Sequence, residues 1–125
     1  MDKREQAVEN RHNRNNCCQA VIMAYAEELG MRQDAAKQLG AAFGGGMGTM
    51  DGICGALAGA GMVLGLKKDS GKPVMRDAAQ LINRFKEKCS GVYLCKDLKG
   101  RDTGVVICSC DDCVRNAVDC LEEVL

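Results

Sequence analysis

The stretch from Phe43 to Leu66 restricts this chain more than any other. It holds most of the chain's 15 glycines and a single charge, Asp51. Gly44-Gly45-Gly46-Met47-Gly48 breaks any regular element, because glycine has the most backbone freedom to lose on ordering. A membrane span needs about 20 consecutive apolar residues in helical form. The glycine run interrupts such a helix, and the remainder, Gly52 to Leu66, is too short. The expectation is therefore no membrane insertion, and a buried central helix over residues 52–66 with Asp51 as its N-cap. Gly55, Gly59, Gly61 and Gly65 each cost that helix about 1 kcal/mol relative to alanine. Close approach of another segment to bare backbone is the gain that offsets them. The glycine run is not a phosphate cradle: G-x-x-x-x-G-K-[ST] is absent and no strand precedes it, so no nucleotide is expected.

Around that helix the chain reads as helical. Asp2 to Arg14 is polar and rich in helix formers, a short exposed helix, with a turn over residues 11–16. Cys17 to Leu29 is apolar on two sides, a broadly buried helix capped by Asn16 and closed by Gly30. Residues 33–43 make a shorter helix with Ala36, Leu39, Ala42 and Phe43 as its apolar positions. Residues 67–72 are a polar loop, and Pro73 suits the first position of the next helix. That helix buries Val74, Ala78, Leu81, Ile82 and Phe85 and ends at Ser90-Gly91. Residues 95–98 are a short ordered piece. Val105-Val106-Ile107 fits a strand or a helix start equally. The last helix, 111–125, buries Val114, Ala117, Val118, Leu121 and Leu125. The expected fold is all-α: a single-domain bundle of five or six helices over residues 1–125, around the glycine-rich helix. A length of 125 residues suits one domain with its own core.

Lysine plus arginine and aspartate plus glutamate both number 17, which leaves no basic stripe for nucleic acid. Aromatic residues are 3% of the chain, too few to stack bases. No apolar stretch precedes Cys17, so no secretory signal is read and the expected location is cytoplasmic. The 9 cysteines then read as metal ligands, catalytic thiols or small buried hydrophobes rather than a disulfide framework. The scattered methionines and the bare glycine faces allow a homodimer.

Three cysteines fall at expected helix N-termini: Cys17 after Asn16, Cys54 after Asp51, and Cys110 before Asp111. Free backbone N–H groups and the helix dipole stabilise a thiolate there. Asp51 and Asp111 oppose this, because a carboxylate disfavours a second negative charge nearby. A bound cation would resolve that conflict. Cys95 sits in a loop, where a ligand is easily aimed. Cys110-Asp111-Asp112-Cys113 is a C-x-x-C, a spacing shared by zinc sites, iron–sulfur sites and redox dithiols. There is no second C-x-x-C, and Val114 after Cys113 excludes c-type haem attachment. The sole histidine, His12, reads as solvated. Cys18, Cys89 and Cys120 read as small hydrophobes, and Met47, Met50 and Met62 as core filler.

Asn16-Cys17-Cys18-Gln19-Ala20-Val21, Gly44-Gly45-Gly46-Met47-Gly48, Cys54-Gly55-Ala56-Leu57-Ala58-Gly59, Cys95-Lys96-Asp97-Leu98 and a cysteine before Val114-Arg115-Asn116-Ala117 follow in order along nearly the whole chain. Together they resemble the C-GCAxxG-C-C family of redox-active proteins. The resemblance implies four key cysteines: Cys17, Cys54, Cys95 and, four residues before Val114, Cys110, with Cys113 the alternative. It implies a redox role, through an iron–sulfur or other metal centre. Joined to the residue reading, it gives three expectations. In the first, Cys17, Cys54, Cys95 and Cys110 converge on an iron–sulfur cluster that passes electrons to a protein partner. In the second, Cys54 is the attacking thiol of a thiol–disulfide oxidoreductase and Cys17 resolves it. In the third, the four hold a structural zinc in a non-enzymatic domain.

Overall fold

The computed structural model describes residues 2–68 and 73–125. Among these, seven α-helices form the domain: α1 (Lys3–His12), α2 (Cys17–Tyr25), α3 (Gln33–Gly40), α4 (Gly55–Lys68), α5 (Met75–Lys88), α6 (Cys95–Lys99) and α7 (Cys110–Val124). The all-α expectation holds, with one helix more than the upper count because residues 95–99 close a full turn.

α4 is central. It packs against α2, α5 and α7, and buries Ala56, Leu57, Gly59, Ala60, Val63 and Leu64. α2 contributes Val21, Ala24 and Tyr25 to the same core, α5 contributes Leu81 and Phe85, and α7 contributes Val114, Val118 and Leu121. The glycines work unevenly. A Cβ on Gly59 would stand 2.8 Å from the Cys18 carbonyl oxygen, and one on Gly55 2.9 Å from that of Phe43. Only glycine lets α2 and the glycine loop come so close. Gly61 and Gly65 face open space, on the side of α4 where Leu39, Met62, Leu66 and Val74 line a shallow groove.

Several expectations are corrected. α4 begins at Gly55, not Gly52, and Asp51 caps nothing. The Asp51 carboxylate lies at the surface and pairs with Arg101 at 3.0 Å. α1 is not merely an exposed helix, since Ala7 and Val8 enter the core. In α3 only Ala36 and Gly40 are buried, and Leu39 is exposed. α5 starts at Met75, two residues beyond Pro73. Val105, Val106 and Ile107 form neither strand nor helix; they are an exposed loop. At the C-terminus Val124 is buried in place of Leu125. Of the polar loop expected at 67–72, residues 67–68 end α4 and the rest lies outside the described residues. Among the described residues no helix is long and apolar enough to cross a membrane.

Candidate functional site

The site is assembled from helix starts. Asn16 forms a reciprocal capping box with Gln19. Its side-chain amide also donates to the carbonyls of Gly40 and Ala41, at 3.2 and 3.3 Å. The start of α2, and Cys17 with it, is thereby fixed on the end of α3. Ser109 caps α7 by accepting the Asp112 N–H at 3.1 Å, which puts Cys110 at the first helical position.

Cys54 takes the place expected of Asp51. Its carbonyl accepts the Ala58 N–H at 2.9 Å. Its sulfur accepts from the N–H groups of Leu57 and Ala56, where a capping oxygen would stand. Backbone bonds from Cys54 to Tyr93 at 2.9 Å and from Cys95 to Gly52 at 3.0 Å flank an isolated antiparallel bridge, Ile53 with Leu94. This short ladder carries Cys54 and Cys95 together. Glycine is required in the loop opposite it: a Cβ on Gly46 would stand 3.0 Å from the Cys95 Cβ and 2.9 Å from the Met50 backbone.

The sulfurs meet in sequence-distant contacts. The Cys17 thiol donates to the Cys110 sulfur, and this bond, against burial, brings Cys110 down to about 5. The charges of Lys99 and Arg11 act in the same direction. Cys17 is correspondingly held protonated, first by that bond and then by burial. Both residues are half-buried. Arg11 lies beside both of them and pairs with the Asp111 carboxylate at 3.5 Å, which His12 Nε2 also meets at 2.8 Å. The carboxylate expected to oppose a thiolate at Cys110 is thus occupied.

A second contact joins Cys54 to Cys113. Cys54 is 3% exposed, and its pKa is raised, by donation to Cys113 and by burial. The Cys113 thiol donates to the Cys108 carbonyl oxygen at 3.7 Å, and its contact with the Cys108 side chain, together with burial, pushes it up to about 11. Cys108 gains from the Cys113 contact, but its own donation to Cys89 and its burial outweigh that and carry it to about 11. Cys89 accepts from Cys108, which lowers its pKa despite burial. The ammonium of Lys99 lies 3.2 Å from the Cys113 sulfur and 3.0 Å from the Cys108 carbonyl. Burial opposes its charge, but the neighbouring Cys113 and Cys110 sulfurs outweigh burial and raise its pKa. Burial also raises Cys95.

Of the four cysteines implied by the resemblance, Cys17 meets Cys110 and Cys54 meets Cys113. Cys95 lies beside Cys54 through the backbone ladder, without a sulfur–sulfur hydrogen bond. Both candidates for the fourth position take part, in different pairs. Among the described residues no three His, Cys, Asp or Glu side chains surround one point closely enough to hold a metal ion. Sequence reasoning missed Arg11, Lys99, Asn116 and the roles of Cys89 and Cys108. Lys99 follows Cys95 by four residues, the helical spacing that could have indicated it. Arg11 and Asn116 carry no comparable signal, because tertiary packing alone brings them to sulfur. Cys18 and Cys120 are buried among apolar side chains as expected.

A family model described as "Putative redox-active protein (C_GCAxxG_C_C)" matches residues 15–124. No curated protein and no solved structure matches the chain.

Proposed function

We propose that this chain, which belongs to the C_GCAxxG_C_C family of redox-active proteins, exchanges electrons through a dithiol formed by Cys110 and Cys17. The observation that carries the reading is their side-chain contact at the start of α7, half-buried and beside Arg11. The attacking thiol is Cys110 rather than Cys54, because Cys54 is buried and holds its proton. The partner is a protein with an accessible disulfide, met in the cytoplasm. The Cys110 thiolate attacks one sulfur of that disulfide and forms a mixed disulfide, and the other partner sulfur leaves as a thiolate. Cys17 passes its proton to that thiolate and attacks Cys110. A Cys17–Cys110 disulfide forms, and the second partner sulfur leaves as a thiolate that takes a proton from water. Two electrons have moved from the chain to the partner.

A second reading is a metal–thiolate centre, an iron–sulfur cluster or a zinc, held by Cys17, Cys54, Cys95 and Cys110 or Cys113. Lys99 and Arg11 among the sulfurs favour it, since a thiolate-bound iron–sulfur cluster carries net negative charge. Such a cluster would supply one-electron transfer. The sulfurs stand in pairs, so they would have to re-aim to share one centre.

Anaerobic purification with iron, sulfide and zinc analysis separates the readings. Colourless, metal-free protein in which Cys17→Ser traps a stable Cys110 mixed disulfide with glutathione disulfide is the expected result. Stoichiometric iron and sulfide would overturn it in favour of the cluster, and one zinc per chain in favour of a structural site.

A further inference from the structure

The sulfur contacts do not stop at the cysteines of the motif. The Asn116 side-chain amide lies 3.5 Å from the Cys89 sulfur and 3.7 Å from the Cys108 sulfur, donating to both. One amide holds two thiols from different segments side by side. Cys89 is the C-cap of α5. Cys108 ends the loop after α6, where its N–H donates to Leu98 at 3.2 Å and its carbonyl accepts from Lys99. Both are almost fully buried, at 1% and 7% exposure, so no external protein can reach them.

We propose that Cys89 and Cys108 are a second, internal dithiol, oxidised through a relay of sulfurs from the Cys17–Cys110 pair. The inference rests on the dithiol reading of that outer pair. The route follows neighbouring side chains, and its first step crosses Gly55. Cys17 and Cys54 flank Gly55, whose missing Cβ would stand 3.6 Å from the Cys17 Cβ. The Cys54 side chain meets Cys113, the Cys113 thiol donates to the Cys108 carbonyl at 3.7 Å, and the Asn116 amide holds the Cys108 sulfur beside that of Cys89.

The oxidant is the partner disulfide that makes the Cys17–Cys110 bond. Cys54 attacks Cys17 and forms Cys17–Cys54, releasing Cys110 as a thiolate. Cys113 attacks Cys54 and releases Cys17. Cys108 attacks Cys113 and releases Cys54. Cys89 attacks Cys108 and releases Cys113. Each exchange breaks one S–S bond and makes one, and the released thiolate takes the proton given up by the attacking thiol. At the end the outer pair is reduced again and Cys89–Cys108 is a disulfide. A second turnover then fills the outer pair, so the chain stores two disulfides.

The test uses the full chain, reduced anaerobically, then equilibrated with glutathione disulfide, acid-quenched, alkylated and mapped by tandem mass spectrometry. The expected products are Cys17–Cys110 and Cys89–Cys108. Cys89→Ala should halve the electrons taken up on re-reduction and leave Cys17–Cys110 intact. Cys113→Ser should slow Cys89–Cys108 formation at least tenfold while the outer disulfide still forms. A free Cys89 in chain whose outer pair is fully oxidised overturns the internal dithiol. Undiminished Cys89–Cys108 formation in Cys113→Ser overturns the relay. Absence of Cys17–Cys110 beside a formed Cys89–Cys108 would instead refute the outer-pair reading.

Discussion

Cys110 differs from the other eight cysteines through what donates to it. A thiol hydrogen, a guanidinium and an ammonium all face its sulfur, and its pKa falls to about 5. The charged form is therefore favoured, and alkylation of Cys110 should be independent of pH from about 6 to 8 and fall as pH drops through 5. Lys99→Met removes the half-buried ammonium, disfavours the thiolate, and should move that fall to higher pH, with a several-fold lower rate at pH 6. A purely structural Lys99 would leave the profile in place. The helix-terminus rule picked out Cys17, Cys54 and Cys110 from sequence, and all three do lie at helix starts. Sequence could not rank them. The rank depends on which thiol donates to which, and on the contacts that Arg11 and His12 make with Asp111. Those pairings join residues about a hundred positions apart, which no local pattern encodes.

At the level of the element, α4 shows how glycine spacing divides into packing and vacancy. Gly59→Ala drives a methyl to 2.8 Å from the Cys18 carbonyl oxygen. That backbone atom cannot yield cheaply, and overpacking of this kind costs about 1–3 kcal/mol. Gly61→Ala meets nothing within 4 Å and should gain about 0.5–1 kcal/mol of helix propensity. Thermal unfolding should therefore show Gly59→Ala melting below the parent and Gly61→Ala above it. Equal shifts would contradict the close-approach account of the α2–α4 contact. The existence of this helix was legible in its apolar run, but its start was not. Asp51 satisfies the general preference for an N-cap, yet the 52–54 ladder with residues 93–95 carries the chain past it. The sulfur of Cys54 then caps the helix instead. Val105–Ile107 was ambiguous for a related reason: three apolar residues do not define an element, and here they belong to an exposed loop.

Across the whole molecule, four helix starts, one helix end and one loop bring sulfurs together. Convergence was expected from sequence; its form was not. The expected picture was four equivalent thiolates around a point. The molecule has a half-buried pair, Cys17 and Cys110, and a set of inner thiols contacted by Lys99 and Asn116. Neutral thiols hydrogen-bond in pairs, and the half-buried Lys99 ammonium lies 3.2 Å from the Cys113 sulfur. The most direct test is site-resolved alkylation of all nine thiols in the reduced full chain at pH 6, followed by mass spectrometry. Cys110 should be modified first, at least tenfold faster than any other cysteine. Faster modification of Cys54, or equal slow labelling of all nine, would contradict the account.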